Sequence, residues 1–263
     1  MQRSIKGSAE LVDSWKISGI ARAENGEHSA NLIVGVPYEG GGLDRHGQSE
    51  ATWHIRSAGW GHNQPFIGSN GKPVHASDMG DVHPLKFGST MKARGYKYDR
   101  LLVIGGDHSI TQPVVNHLHG KHEHLQLVVF DSHIDREPVG TGVNHENWLN
   151  YVTVPSAVIR PTTAHNIVLE ETLTDRFGHG WFNRPTYISV DLDYISLGEA
   201  PGVGTPCPGG VAGLAMLEQM VDLADALGEN LIGVDVVEVT PPFDTYGQTS
   251  HLARNILLSG AIS

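Results

Sequence analysis

Short apolar runs recur along the chain, each ending in polar or glycine-rich residues: Leu32 to Tyr38, Arg100 to Gly106, Leu125 to Asp131, Thr186 to Asp193, and Leu231 to Val239. They are rich in Val, Ile and Leu and nearly continuous, which is how strands buried on both faces read. Between them, Gln48 to Ser57, Ile110 to Leu118 and Val211 to Leu227 have helix-compatible spacing. The order strand, loop, helix, strand predicts an α/β fold with a mostly parallel sheet. Ligands of such sheets bind beyond the carboxyl ends of the strands, so the residues that close these runs are the candidates for chemistry. The most irregular stretch, between Asp135 and Arg160, contains Asn144, His145 and Asn147, and loops of that kind commonly line a site.

Composition narrows the picture without naming a function. A chain of 263 residues with 39% hydrophobic content can bury a sizeable core, and no repeat, low-complexity tract or linker divides it, so one domain over 1–263 is expected. The net charge of -11, from 29 acidic and 18 basic residues, argues against nucleic acid as a partner and suits a site that gathers cations. Cys207 is the sole cysteine, so an intramolecular disulfide is impossible. No apolar run approaches the roughly 20 residues that cross a membrane, and Met1 to Gly19 lacks a signal-type apolar core. A cytoplasmic protein with no membrane partner is the default expectation. The 16 histidines are too many for their count to identify a ligand.

Three segments stand out, each following an apolar run: Gly105-Gly106-Asp107-His108-Ser109, Asp131-Ser132-His133-Ile134-Asp135, and Ser189-Val190-Asp191-Leu192-Asp193. In extended backbone, residues two apart point the same way. Asp131, His133 and Asp135 would then share one face, as would Asp191 and Asp193. Carboxylates gathered at neighbouring strand ends repel one another strongly without cations. Mixed carboxylate and imidazole ligation suits Mn²⁺, Fe²⁺, Co²⁺ or Zn²⁺, and the absence of thiolates disfavours a structural zinc site. Singly, Asp-x-Asp is usually a solvated loop and Gly-Gly-Asp-His a tight turn; all three at successive strand ends point to a metal centre. Glu238 closes the run Leu231 to Val239, where a buried carboxylate is costly without a partner. That partner is either a cationic substrate or the arginine of a structural ion pair.

In this order the three motifs resemble those of the ureohydrolases, the family of arginase and agmatinase. The likeness runs on through Ala200 to Pro206, Gly209-Gly210 and Asp235 to Pro242, with earlier segments at Gly35 to Tyr38 and Asp78 to Val82, so it covers roughly residues 30 to 260. It implies a three-layer αβα sandwich of the arginase/deacetylase type. It also implies two Mn²⁺ per subunit, one held by His108, Asp131, Asp135 and Asp191, the other by His133, Asp131, Asp191 and Asp193. A hydroxide between them would attack a guanidinium carbon and release urea and an amine. By the same resemblance Glu238 holds the guanidinium, Asp135 carries the proton to the leaving nitrogen, and His145 shuttles protons. A homo-oligomer, trimer or hexamer, is implied as well.

The likeness departs in places that bear on substrate. His145-Glu146-Asn147-Trp148 replaces the usual His-Gly, Tyr194-Ile195-Ser196 replaces Asp-Pro, Glu50-Ala51-Thr52 replaces Gly-Pro, and Ser132 replaces alanine. Glu137 stands where arginases place an asparagine for the α-carboxylate, and it would repel that group. The acidic α-amino contact of arginases has no clear counterpart between Val158 and Leu169. These departures favour agmatine, an arginine side chain within a peptide, or an arginine derivative. Asn144, Asn147, Trp148 and Glu137 are the candidate specificity residues, though the asparagines and Trp148 could serve the loop itself. Two alternatives stay open: a formimino or other amidine hydrolase with the same metals, and a metal-binding family member without catalysis.

Overall fold

The computed structural model describes residues 20–40, 45–58, 74–138, 142–161 and 169–261. The N-terminal stretch Met1 to Gly19, parts of the loop after Asp135, and most of the Val158 to Leu169 interval lie outside the described residues.

Among the described residues eight strands form one sheet in which every pairing is parallel. They are β1 (Ala21–Arg22), β2 (His28–Val36), β3 (Ala76–Asp81), β4 (Lys97–Gly105), β5 (Gln126–Phe130), β6 (Ser156–Ile159), β7 (Thr186–Asp191) and β8 (Leu231–Val237), in the order β1-β3-β2-β4-β8-β7-β5-β6. The helices are α1 (Ala51–Ser57), α2 (Phe87–Arg94), α3 (Thr111–His119), α4 (Leu169–Phe177), α5 (Gly213–Leu227) and α6 (Gln248–Ser259). All five expected strands and all three expected helices are present. The strands end one or two residues before the apolar runs do: β5 stops before Asp131, β7 stops at Asp191, and β8 stops before Glu238.

Alternate residues of each central strand feed two separate cores, which is why the runs are apolar throughout. On β4, Leu102 and Ile104 join the core under α1, α4, α5 and α6, whereas Leu101 and Val103 join the core under α2 and α3. The result is the three-layer αβα arrangement. The helix leaving β4 covers one face and the helix leaving β7 covers the other. The carboxyl ends of β4, β8, β7 and β5 therefore frame a crevice where the chain reverses its direction of travel across the sheet.

Three strands carried no apolar signature. In β3 the sequence is Ala-Ser-Asp-Met-Gly-Asp, and its polar positions are bound elsewhere: Arg56 of α1 holds Asp78 at 2.7 Å and Asp81 at 2.5 Å. Both Arg56 and Asp78 are almost fully buried. This ion pair replaces the apolar contact that a hydrophobic run would report. No helix among the described residues is long and apolar enough to cross a membrane.

Where β4 ends, Gly106 lies against the backbone of Tyr38, whose carbonyl accepts the Asp107 amide at 2.9 Å. A Cβ at Gly106 would fall inside the van der Waals radii of Tyr38 main-chain atoms. Gly106→Ala is accordingly expected to cost at least about 2 kcal/mol by overpacking. Urea unfolding of the metal-depleted protein measures this, and a midpoint equal to wild type contradicts the close approach.

Candidate metal centre and substrate cleft

The motif residues converge above the carboxyl ends of the four central strands, by turns rather than by extended backbone. Beyond β4, Asp107 accepts the Ser109 amide and starts a short 3-10 turn that carries His108 inward. Beyond β5, Asp135 has left the extended region altogether, with φ 51. Beyond β7, Asp191 accepts the Asp193 amide at 2.8 Å and opens another 3-10 turn. The expectation that the paired residues align because the strand continues is thus corrected. They meet because each strand end folds back on itself, with carboxylates capping the turns.

His108 Nδ1 lies 3.1 Å from Asp131 Oδ2, 3.1 Å from Asp135 Oδ2 and 3.2 Å from Asp191 Oδ2. His133 Nδ1 lies 2.8 Å from Asp193 Oδ2 and 3.5 Å from Asp131 Oδ1. Five of the six motif residues fall in two groups that share Asp131, one of His108, Asp131 and Asp135 and the other of Asp131, His133 and Asp193, and Asp191 joins the first through His108. At His108 the contacts are close yet Nδ1 and Asp131 Oδ2 make no hydrogen bond. The other ring nitrogen explains why. Ser189 donates its one hydroxyl proton to Asp235 at 2.6 Å, so its oxygen accepts from His108 Nε2 at 3.0 Å. With Nε2 donating to Ser189, Nδ1 is the ring atom turned to the carboxylate oxygens; against its burial, Asp131, Asp135 and Asp191 raise the imidazole well above its ordinary pKa, so a cation here takes the place of the Nδ1 proton. That is a ligand arrangement, with a hydrogen-bonded outer partner fixing the imidazole. Asp235, itself held by Thr111 and Tyr187, was missed by sequence reasoning as this orienting group. Its signal was a polar residue within the apolar run of β8.

The electrostatics point the same way. Asp131, Asp191, Asp193 and Glu238 are all buried. Among the described residues their ion-pair partners, where they have any, are histidines, never Lys or Arg. In the protein alone, burial together with Asp193 and Asp131 pushes the Asp191 carboxyl well above its usual range. Burial likewise raises Asp193 and Asp135. Against its burial, Asp131 is held down at about 2 by His108 and His133. His133 is raised to about 11 by Asp131 and Asp193. Hard oxygen donors with two imidazoles and no thiolate fit divalent first-row cations.

A cleft of about 360 Å³ opens over this cluster. Glu238 lines it from beyond β8, buried and in a left-handed conformation with φ 66. Its Oε1 accepts the His108 amide at 2.8 Å and its own amide bonds Gly106. Among the described residues no basic side chain pairs with it, so the structural ion pair considered for it is not found. Burial, with Asp107 nearby, raises its carboxyl well above the ordinary value. His145 lines the same cleft, half-buried, and its Nδ1 is buried without a hydrogen bond. Glu137 lies exposed at the mouth. Asn144 and Asn147 do not line the cleft. Asn147 accepts the Asn144 amide and donates to Gly142, and Asn144 accepts the Glu146 amide, so both serve the loop. Arg160 at the end of β6 also lines the cleft and had not been singled out. Its Nε donates to the Ser132 carbonyl at 3.2 Å, and its terminal nitrogens make no hydrogen bond among the described residues. An arginine closing a four-residue strand gives no signal in sequence.

An all-parallel αβα sandwich with an acidic, histidine-bearing cluster over its strand ends carries the donor set of a divalent-cation centre. The arginase family model matches residues 29–173 and 157–262, and the chain belongs to the arginase family. It is similar to a guanidinobutyrase of Pseudomonas aeruginosa, at 29% identity over 86% of this chain and 83% of the relative. It is also similar to an agmatinase of Bacillus cereus, at 25% identity over 88% of this chain and 92% of the relative. The solved structure of the proclavaminate amidino hydrolase from Streptomyces clavuligerus superposes with a TM-score of 0.74 and 25% identity, covering 93% of this chain and 95% of that one. The chain is therefore a hydrolase acting on linear amidines, of the ureohydrolase type.

Stability of the metal-free protein should fall as pH rises. Asp191 and Glu238 bind protons more tightly folded than unfolded, so stability declines from the unfolded carboxylate value of about 4 upward. His133, raised to about 11, adds stability that is lost as pH climbs from about 6.5 through that value. Asp131 has the opposite sign, but its window lies between about 4 and about 2. Divalent cations displace these protons and bind more tightly as pH rises. The gap in Tm between Mn²⁺-loaded and EDTA-treated protein should widen from pH 5 to pH 8. Thermal melts at stepped pH measure it, and a constant gap contradicts the clustered-carboxylate account.

Proposed function

We propose that the protein hydrolyses the guanidino group of a small, arginine-like guanidino compound, releasing urea and an amine, with two Mn²⁺ held by His108, Asp131, Asp135 and Asp191 and by His133, Asp131, Asp191 and Asp193. The observation that carries this reading is Glu238, a buried carboxylate with no basic partner that lines the same cleft as the histidine and aspartate cluster. A carboxylate complements the planar donor fork of a guanidinium, and such a substrate supplies the charge that burial otherwise disfavours. Divalent cations held by these residues would supply Lewis acidity that makes a water nucleophilic near neutral pH. The chain's own residues do the rest. Glu238 orients the guanidinium with its central carbon toward the cluster. Asp135 lines the cleft with an Oδ1 that makes no hydrogen bond among the described residues, and it accepts the proton that the leaving nitrogen needs. His145, with its unbonded Nδ1, exchanges protons between the cleft and solvent.

The tail of the substrate meets both signs of charge, with Glu137 and Glu146 on one hand and Arg160 on the other. The aversion to a carboxylate expected from Glu137 alone is therefore offset. Guanidino acids, which the name of the Pseudomonas aeruginosa relative evokes, join agmatine and arginine peptides as substrates to test.

Urea release with added Mn²⁺ from agmatine, 4-guanidinobutyrate, 3-guanidinopropionate, arginine and arginine-containing peptides is the direct assay. Urea from none of them would sink the reading. Glu238→Gln, which keeps an acceptor for the His108 amide, is expected to lower kcat/KM on the order of 100-fold by removing a charge-assisted contact. Unchanged kcat/KM in this variant removes Glu238 from substrate binding. Arg160→Ala is expected to raise KM for 4-guanidinobutyrate about 5-fold, the worth of an exposed ion pair, while leaving KM for agmatine unchanged. Equal effects on the two substrates place Arg160 outside tail recognition.

A further inference from the structure

Four carboxylates converge on the candidate metal centre, and three of them are held from outside by main-chain amides. Asp131 Oδ1 accepts from the His133 amide at 2.6 Å, Asp191 Oδ1 from the Asp193 amide at 2.8 Å, and Asp193 Oδ1 from the Ser132 amide at 3.1 Å. In each case one oxygen is fixed by backbone and the other, Oδ2, lies toward an imidazole. Asp135 is different. Its carboxylate is gripped by a side chain: the indole Nε1 of Trp148 donates to Oδ2 at 2.6 Å. That same Oδ2 is the atom 3.1 Å from His108 Nδ1.

Trp148 is well placed to act on this ligand pair. It is fully buried in the 3-10 turn Trp148–Tyr151, and its ring lies 4.6 Å from the His108 ring at an angle of 36°. The next amide, of Leu149, bonds the Asp135 carbonyl at 3.3 Å. Asp135 therefore keeps its left-handed backbone, a conformation that L-residues disfavour, under restraint at both its main chain and its side chain. Among the described residues, the polar and ring contacts of Trp148 fall on His108 and Asp135 and not on His133 or Asp193.

We infer that Trp148 is a positioning residue for one of the two metal sites, the one built on His108 and Asp135, and that it divides the work of the Asp135 carboxylate. The indole N–H fixes Oδ2 beside His108 as the ligand atom. Oδ1 is thereby left for proton transfer in the cleft. The loop that carries His145 is tied to the metal centre through the same hydrogen bond. This inference rests on the metal-centre reading proposed above and adds to it a residue and a site selectivity.

The test is calorimetric titration of metal-depleted protein with Mn²⁺, comparing wild type with Trp148→Phe, which keeps the ring over His108 and removes the N–H. Wild type is expected to bind two ions. In the variant one site should weaken 10- to 100-fold, the usual cost of losing an outer partner of a metal ligand, while the other keeps its affinity and the Tm of the metal-free protein stays the same. With the best substrate of the panel, kcat should fall while KM holds, because the substrate grip of Glu238 is untouched. Two sites of unchanged affinity overturn the inference. So does equal weakening of both sites together with a lowered metal-free Tm, which marks Trp148 as a packing residue only. A wild-type protein that binds no Mn²⁺ overturns the metal-centre reading itself. Should Trp148→Phe fail to fold, ¹⁵N-labelled wild-type protein titrated with Zn²⁺ decides the matter. One of the five tryptophan indole signals should shift on loading, and no shift in any of them overturns the inference.

Discussion

Crowding of negative charge at the carboxyl end of the sheet is the constraint on which the rest of this structure depends. Asp131, Asp135, Asp191 and Asp193 approach the same two imidazoles, with Glu238 and Asp107 buried close by. Several carboxylates sharing a site cannot all ionise without compensation, and among the described residues none of them forms an ion pair with a lysine or arginine. The protein could have avoided this cost by placing any of these residues on the surface. It does the reverse, enclosing them among strand ends and turning main-chain amides toward their outer oxygens. Such a cluster is suited to receive cations, in keeping with the metal dependence of the arginase family.

The topology is what makes the crowding possible. β4, β8, β7 and β5 are neighbours in the sheet although they are far apart in sequence. Each delivers one segment to the same crevice. Because the helices leaving β4 and β7 cover opposite faces, the crevice between their starting points is not roofed by helix. The parallel ladder fixes the register rigidly: Val103 is opposite Asp235, and Ser189 is opposite Asp235 on the other side. Asp235 can therefore receive Ser189 and Thr111 together, and Ser189 in turn holds His108. A chain of buried hydrogen bonds thus links the middle of the sheet to the ring nitrogen that decides which way His108 presents its lone pair.

Much of this was legible in the sequence because it follows from burial. Strands covered on both faces must be apolar throughout, and β2, β4, β5, β7 and β8 read that way. Their polar closing residues marked the site, and all six expected ligands meet. What escaped the sequence did so for identifiable reasons. β3 is polar because its partners are the guanidinium of Arg56 rather than apolar side chains. β6 has four residues, too few for a pattern. The backbone path was misjudged, since period-two reasoning holds only while the chain stays extended, and Asp135 and Asp193 lie beyond that point. Trp148 appeared in the sequence as a departure from the family pattern, and its contact with Asp135 depends on a turn thirteen residues away. Arg160 had no local signal at all.

Asp135 and Glu238 show how the two parts of the site are kept in register. Both are non-glycine residues in left-handed conformation, Glu238 directly after β8 and Asp135 in the turn beyond β5. Held against strain, such conformations persist only where surroundings over-determine them, and here each has its own set of restraints. Glu238 is fixed by its amide on Gly106 and its carboxylate on the His108 amide, so its position is written into the turn that follows β4. Asp135 is fixed by the loop that carries His145. One histidine thus links both: its amide places the carboxylate proposed for the substrate, and its ring meets the carboxylate proposed for the proton. A displacement of His108 would move both together. The spacing between the carboxylate proposed for the guanidinium and the one proposed for the proton therefore runs through His108, in addition to the restraints each has of its own.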